Sequence, residues 1–195
     1  RNSLVSQTLD VTIVGEIAQQ DIIAKLGFLQ NLPDENVSMR EQPPTPALAG
    51  STLYLVDKPG AAQSEIRIGF MDNLTYDATG EYFERQLMNY VLGGAFSSRI
   101  NLNLREDKGY TYGARSGFSG SKLPGPFTAS ASVRTDTTAD SVVQFISEIT
   151  GYRDQGITPA ELQFTKDAIG QSEALDYETP GQKGSLLEQI ITYDL

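Results

Sequence analysis

Two hydrogen-bond donors stand seven positions apart near the middle of the chain, in the segment LGGAFSSRINLNLREDKGYTYG at 92–113. Arg105 falls on the last turn of a predicted helix, Gly109 reverses the chain, and Tyr112 opens the strand that follows. This order predicts a guanidinium and a phenol at one edge of a sheet. Both groups donate hydrogen bonds, so the pair is suited to polarise a carbonyl group or to hold an oxyanion that develops on it.

A structural explanation of the same two residues stands beside the chemical one. Arg105 is also suited to the negative end of its own helix, or to an ion pair with Glu106 or Asp107. Tyr112 is equally compatible with a half-buried aromatic residue of a strand. The residue types alone leave both explanations open.

The composition excludes several kinds of chemistry. The 195 residues include no histidine and no cysteine, so a Ser-His-Asp triad, a thiolate nucleophile and a zinc site of His or Cys ligands cannot form. Acidic residues number 25 against 15 basic ones, a formal net charge of −10. This charge disfavours nucleic acid and, weakly, favours a basic peptide. No apolar run reaches the ~18 residues of a membrane span.

The elements that must position Arg105 and Tyr112 follow from hydrophobic periodicity and turn residues. We predict strands over 10–17, 51–57, 64–71, 110–118 and 126–134, and helices over 20–29, 78–92, 96–108, 137–154, 159–178 and 182–193. The helix 137–154 is expected to turn Val142, Ile146 and Ile149 inward, and Thr158 and Glu161 to form a capping box. Because strands come in hairpins and helices in runs, we expect an α+β fold, a mostly antiparallel sheet with helices packed on one face.

The segment 92–113 resembles the arginine/tyrosine motif of the insulinase/pitrilysin (M16) zinc metallopeptidases, in the form of the processing-peptidase-like bacterial branch. That motif reads approximately L-G-G-x-x-S-S-R-L, a few residues, then L-R-E-x-x-G-L-x-Y. The matching residues are Leu92, Gly93, Gly94, Ser97, Ser98, Arg99, Leu104, Arg105, Glu106, Gly109 and Tyr112. Ile100 and Tyr110 replace the two remaining leucines. Similar segments at 14–16 and 158–166 extend the resemblance to about 10–193.

The resemblance implies one half of a two-part peptidase. In this family the first half carries zinc on an H-x-x-E-H motif and a distal Glu, and the second half, without metal, supplies the Arg and Tyr. On this mapping Tyr112 donates to the scissile carbonyl oxygen or its oxyanion, and Arg105 anchors the substrate backbone. Ser97, Ser98 and Arg99 join them as substrate-binding residues. No cofactor is expected in this segment, and zinc is expected in the missing half.

The resemblance also implies partners and boundaries. We expect a zinc-bearing N-terminal half or partner subunit and a peptide substrate, with a homodimer as an alternative assembly. The chain starts at Arg1 without an initiator Met or signal peptide, as expected for a segment of a longer protein. The periplasm is slightly favoured over the cytoplasm, because bacterial relatives are often exported.

The predicted organisation has three parts. Residues 1–32 resemble the strand and helix that end the first half, 33–50 form a linker, and 51–195 form the main domain without its closing strand and helix. The strand at 10–17 and the helix at 20–29 are expected to fill the slot that this missing pair leaves. A strand near 110–118 or 127–134 is a candidate edge to which substrate adds as a further strand, and the alternative is that loops cover such an edge or a neighbouring molecule pairs with it. The alternative function is a catalytically inactive scaffold of the same fold that binds peptides or proteins.

Overall fold

The computed structural model describes residues 4–35, 37, 44–45, 47, 49–173 and 177–195. The chain divides into two compact units, unit 1 from residues 1–44 and 171–195 and unit 2 from residues 45–170. The domain boundaries given above stay a prediction, and part of the linker 33–50 lies outside the described residues.

The helices and strands are α1 (Gln19–Leu26), β1 (Gln63–Met71), α2 (Glu81–Asn89), α3 (Arg99–Asn101), β2 (Thr111–Gly120), β3 (Pro124–Arg134), α4 (Thr138–Gln155), α5 (Pro159–Glu173) and α6 (Pro180–Tyr193). Two π-helical turns, Tyr90–Gly94 and Leu102–Asp107, continue α2 and α3. Short 3₁₀ turns form at Ser6–Thr8, Gly27–Asn31 and Thr135–Thr137.

Unit 1 contains α1 and α6, both of which the sequence predicts. The cap of α6 is a reciprocal one, since the Thr179 hydroxyl accepts from the Gln182 amide while the Gln182 side chain accepts from the Thr179 amide at 2.9 Å. The strand predicted at 10–17 is wrong, because these residues lie in irregular backbone. The Ile17 amide closes a turn on the Gly15 carbonyl at 3.1 Å, which interrupts extended chain. No strand from this segment is therefore present to fill the slot proposed for it.

Unit 2 is built on a sheet of order β1-β3-β2 with both pairs antiparallel, as far as the described residues show. Period-two order in β3 buries Phe127, Ala129, Ala131 and Val133 on one face. The helical side chains that cover this face come from the two π-helical turns and their flanks and from α4: Val91, Leu92, Ile100, Leu104, Phe145 and Tyr152. The predicted α+β architecture, an antiparallel sheet with helices on one face, is confirmed.

The face of the sheet away from the helices is polar, and we call it the open face. It carries Gln63, Glu65, Arg67, Arg115, Thr128, Ser130 and Ser132, which alternate with the buried positions of their strands. Alternation of this kind is expected of an antiparallel sheet with one solvated side.

The inward face of α4 differs from the predicted one. Ser141, Phe145 and Tyr152 are buried, whereas Val142 and Ile146 are 38% and 46% exposed. Two apolar stripes run along this helix, and the buried one carries the aromatic rings, which have the larger apolar surface to remove from water. The prediction for Val142 and Ile146 is therefore wrong, while Ile149 packs against the core as predicted.

The strand predicted at 51–57 is also wrong. Leu53, Tyr54, Leu55 and Val56 lie in irregular backbone and are 85–89% exposed. Their alternation and β-branched or aromatic character predict a strand, but a strand needs a hydrogen-bonded neighbour. The described strands leave the segment without one.

Candidate functional site

The helical segment that carries Arg105 ends in a widened reversal. Residues 102–107 form a π-helical turn, and Gly109 adopts φ +64°, a conformation that favours glycine. The amide of Tyr110 donates to the carbonyl of Leu104 at 2.9 Å, one residue wider than the usual cap of an α-helix. π-Helical turns recur at functional sites, and this one brings the chain from Arg105 back to the sheet.

A β-bulge presents Tyr112. Thr111 pairs with Val133 and Ala114 pairs with Ala131, so two residues of β2 lie opposite Ser132 alone. The Thr111 hydroxyl donates to the Ser132 carbonyl at 2.7 Å and holds the bulge in place. The side chain of Tyr112 is 92% exposed as a result, which overturns its interpretation as a half-buried strand aromatic. Bulges commonly re-aim side chains beside active sites.

Tyr112 lines a groove of about 570 Å³, which we call the sheet groove. Its walls are the start of β2, the facing parts of β1 and β3, and the turn that follows α2: Gln63, Glu65, Gly93, Gly94, Ala95, Phe96, Asn101, Thr111, Tyr112, Gly113, Ala114, Arg115, Ser130, Ala131 and Ser132. All of them belong to unit 2. The groove has the size of a small-ligand or peptide site and mixes apolar with polar walls.

Arg105 approaches the sheet groove through Phe96. The guanidinium carbon lies 4.3 Å from the centre of the Phe96 ring, while that ring remains 72% exposed and lines the groove. A cation over an aromatic face is an attractive arrangement. Arg105 also forms the predicted ion pair with Glu106, at 3.4 Å. The Nη1 atom of this pair is enclosed and makes no hydrogen bond within the described part of the chain.

Two asparagines hold the site together, and neither was singled out from the sequence. Asn101 donates to the Phe96 carbonyl at 2.6 Å and accepts from the Ala114 amide at 2.9 Å, which fixes the Phe96 turn against the strand after the bulge. Asn89 donates to the Ser116 carbonyl at 2.8 Å. Both asparagines are buried. A buried Asn among apolar helix positions is the sequence signal for such a role, because its amide must be hydrogen-bonded.

These bonds also change the prediction of a free strand edge. β3 is the central strand, so the predicted edge at 127–134 is wrong. β2 is an edge strand, but the Ala114 amide and the Ser116 and Phe118 carbonyls are occupied by side chains of Asn101, Asn89 and Gln86. At these positions β2 has no free backbone hydrogen-bonding groups to pair with an added peptide strand.

The serines of the motif lie apart from the groove walls. Ser97 is exposed in the turn before α3. Ser98 is buried, its hydroxyl has no hydrogen-bond partner among the residues that the structure describes, and its amide donates to the Ala95 carbonyl at 3.1 Å. A direct contact of either serine with substrate stays a prediction.

Arg99 binds within the protein. Its guanidinium donates to both carboxylate oxygens of Glu161 at 2.6 and 2.7 Å and to the Gly156 carbonyl at 3.0 Å, and it lies 4.8 Å from the centre of the Tyr152 ring. These contacts join α3 to the ends of α4 and α5. Their geometry is that of a positioning residue, and the substrate-binding role predicted for Arg99 stays untested.

The sequence profile of the peptidase M16 inactive domain matches residues 5–169 of this chain. The chain belongs to the peptidase M16 inactive-domain family. An inactive domain of a peptidase implies a separate active part in that family. A comparison with curated protein sequences finds no match to this chain.

Solved structures share the fold of this M16 inactive domain. A peptidase M16 inactive domain from Pseudomonas fluorescens is 23% identical with a TM-score of 0.61, over 69% of this chain and 32% of that one. A protease from Helicobacter pylori is 16% identical with a TM-score of 0.77, over 93% and 44%. The periplasmic protease PqqL from Escherichia coli is 14% identical with a TM-score of 0.67, over 92% and 20%. The chain thus spans less than half the length of each.

The residues of this M16 inactive domain do not fit a bound zinc ion. The chain has no histidine or cysteine, and among the described residues no three Asp or Glu side chains cluster as metal ligands. Within the same residues, no helix is both long and apolar enough to cross a membrane.

We expect the stability of this M16 inactive domain to fall in acid through Glu161. Hydrogen bonds from Arg99 hold the pKa of this carboxyl at about 2, against 4.5 unperturbed. Because the folded pKa is the lower one, the contribution of Glu161 is complete above pH 4.5 and is lost as the pH falls from 4.5 towards 2. The difference between the two pKa values corresponds to a contribution on the order of 3 kcal/mol. Solvent screens the pair little, because the side chains of Arg99 and Glu161 are only 19% and 26% exposed.

Calorimetric melting of the wild type and of Glu161→Gln between pH 7 and pH 3 checks this expectation. The variant should be less stable at pH 7, and the difference should narrow below pH 4.5. A difference that stays constant over this range would contradict it.

Proposed function

We propose that this chain is the non-zinc, substrate-binding half of an M16-type zinc metalloendopeptidase. In this proposal Tyr112 and Arg105 act on a peptide whose cleavage depends on a zinc centre in another segment or subunit. The observation that carries it is the bulge at 112–113, which projects an exposed phenol into a groove beside the Arg105–Phe96 stack. A structural role does not require Tyr112 to project in this way.

The chemistry proposed for Tyr112 is hydrogen-bond donation. Within the described residues its hydroxyl makes no hydrogen bond, so its proton is free for a ligand in the sheet groove. A carbonyl oxygen gains negative charge as its carbon becomes tetrahedral. A donor already in place stabilises that charge more than it stabilises the ground state.

The role proposed for Arg105 is to anchor substrate. Its planar guanidinium stacks on Phe96 and keeps donors for a peptide carbonyl, while the exposed side of the Phe96 ring offers an apolar surface to a substrate side chain. Because the edge of β2 is occupied at Ala114, Ser116 and Phe118, we expect a peptide to lie across the bulge and not along the whole strand.

Reconstitution tests this function. The chain is combined with its zinc-bearing half, and cleavage of a fluorogenic peptide is measured. Arg105→Lys keeps the charge but loses the planar stack, so we expect KM to rise roughly tenfold with kcat little changed. Arg153→Gln, a change of an exposed arginine on α4, is the matched control and should leave both constants unchanged.

An unaltered KM in Arg105→Lys would contradict the anchoring role. Peptide binding without any cleavage in the reconstituted protein would favour the alternative, a scaffold that holds peptides.

The compartment and the assembly belong to the same proposal. We infer a periplasmic location from the periplasmic relative of the same fold, and a zinc-bearing half as the first partner. A second copy of the chain is the alternative partner, and the molecular mass in solution distinguishes the two.

A further inference from the structure

Arg115 is a cation without an ion-pair partner in the described part of this acidic protein. Each of the other described arginines lies within 3.4 Å of a carboxylate oxygen, in the pairs Arg67–Glu65, Arg85–Asp72, Arg99–Glu161, Arg105–Glu106, Arg134–Asp136 and Arg153–Asp154. Arg115 has no such partner among the described residues, although acidic residues outnumber basic ones by 25 to 15. Its guanidinium therefore keeps its donors available.

The position of Arg115 directs those donors towards the sheet groove. It pairs with Ser130 in the middle of the sheet, and its neighbours Ala114 and Ser116 are buried on the helix side. Arg115 therefore faces the open side, and it lines the groove with Tyr112. The two residues are three positions apart, roughly 10 Å along β2.

The carboxylate of Glu65 in the same groove is already occupied. It accepts from the Ser132 hydroxyl at 2.5 Å and lies 3.4 Å from the Arg67 guanidinium. The pairing register places Arg67 directly across β3 from Arg115, while Glu65 lies on the diagonal, with its Cα atom about 12 Å from that of Arg115. The region around Arg115 is thus locally basic, opposite to the sign of the whole chain.

We propose that Arg115 is a specificity-determining residue that binds a carboxylate of the peptide in the sheet groove, an inference that rests on the proposed function. A guanidinium recognises a carboxylate through two parallel hydrogen bonds. At about 3.3 Å per residue of extended peptide, the carboxylate lies about three residues from the carbonyl at Tyr112. It belongs to an acidic side chain or to the free C-terminus of a short peptide. This reverses the weak preference for basic peptides that the net charge suggests.

Binding of tryptophan-containing peptides tests this inference, because the chain has no tryptophan and the peptide supplies the whole signal. Three peptides are compared that differ only at the third position after Trp and at the C-terminus. The first has Asp at that position and an amidated C-terminus. The second has Asn and an amidated C-terminus, and the third has Asn and a free C-terminus. The tryptophan fluorescence of the peptide, excited at about 295 nm, is followed as the chain is titrated into it.

We expect at least one carboxylate peptide to bind about tenfold more tightly than the amidated Asn peptide, and the tighter of the two identifies the source of the carboxylate. Arg115→Gln should remove the difference and leave the amidated Asn peptide unaffected. Arg153→Gln is the control on another element and should keep the difference. Circular dichroism checks that Arg115→Gln stays folded.

The outcomes separate this inference from the proposed function. Equal binding of all three peptides to the wild type overturns the role of Arg115 but is consistent with a groove that binds peptides. Preference for carboxylates that survives in Arg115→Gln also overturns it. The absence of binding by every peptide overturns both.

Discussion

Replacing Tyr112 by phenylalanine should lower the turnover of the reconstituted peptidase by roughly 10²-fold or more, the scale seen when one oxyanion donor is lost. The change removes a single hydroxyl. Because that hydroxyl makes no hydrogen bond within the described residues and the ring is exposed, the melting temperature should be unchanged. The loss should fall on kcat and on kcat/KM together, since the interaction is made in the transition state.

Tyr54 is the matched control for this change. It is also a tyrosine of unit 2 with an exposed ring, but it lies outside the walls of the sheet groove. Tyr54→Phe should therefore keep full turnover. If Tyr112→Phe retained wild-type kcat, the oxyanion role would be refuted and the scaffold function favoured.

Replacing Gly93 by alanine should produce the largest loss of stability among single changes at the site. A Cβ at this position would lie 2.2 Å from the Ser116 hydroxyl and 2.4 Å from the Ser116 amide nitrogen, far inside contact distance. Backbone of β2 cannot rotate away as a flexible side chain can. We expect a cost of about 3 kcal/mol, which lowers the melting temperature by roughly 6–12 °C.

Gly151→Ala is the control, because a Cβ at this position in α4 meets nothing within 4 Å. Alanine is the better helix former, so this variant should be slightly more stable than the wild type. Calorimetry of both variants decides the matter. If the Gly93→Ala variant had the melting temperature of the wild type, the turn after α2 would not be in close contact with β2.

The local signals of the sequence account for most of unit 2. Period-two order placed β3, and glycine at position 109 marked the left-handed reversal, where φ is +64°. Thr158 and Glu161 mark the start of α5 by a capping box, and the Thr158 amide donates to Glu161 at 2.8 Å. Each of these features depends on residues within a few positions of one another, and for that reason the sequence could predict them.

The features that were not predicted depend on distant partners. The bulge that exposes Tyr112 is fixed by Asn101 and Ser132, residues 11 or more positions away from it. Gly113, inside the strand, was the local hint of that bulge. The stripe that α4 buries depends on the space that the sheet leaves for Phe145. The strands predicted at 10–17 and 51–57 had the right composition but no neighbour to pair with.

The amide side chains along β2 have a consequence for the behaviour of the protein in concentrated solution. Exposed strand edges recruit other chains into growing sheets, and proteins that avoid this must cover the edge. Here Asn89, Asn101 and Gln86 supply the cover, and the Tyr82 hydroxyl also donates to the Phe118 carbonyl at 3.2 Å, so the resistance of this edge to fibrillar stacking rests on neutral side chains. Hydrolysis of Asn89 or Gln86 to an acid would remove the N–H donor that covers a carbonyl of β2 and place a negative charge against that carbonyl, whereas a carboxylate at position 101 would still accept from the Ala114 amide. Chemical ageing at Asn89 or Gln86 would thus uncover a template for association.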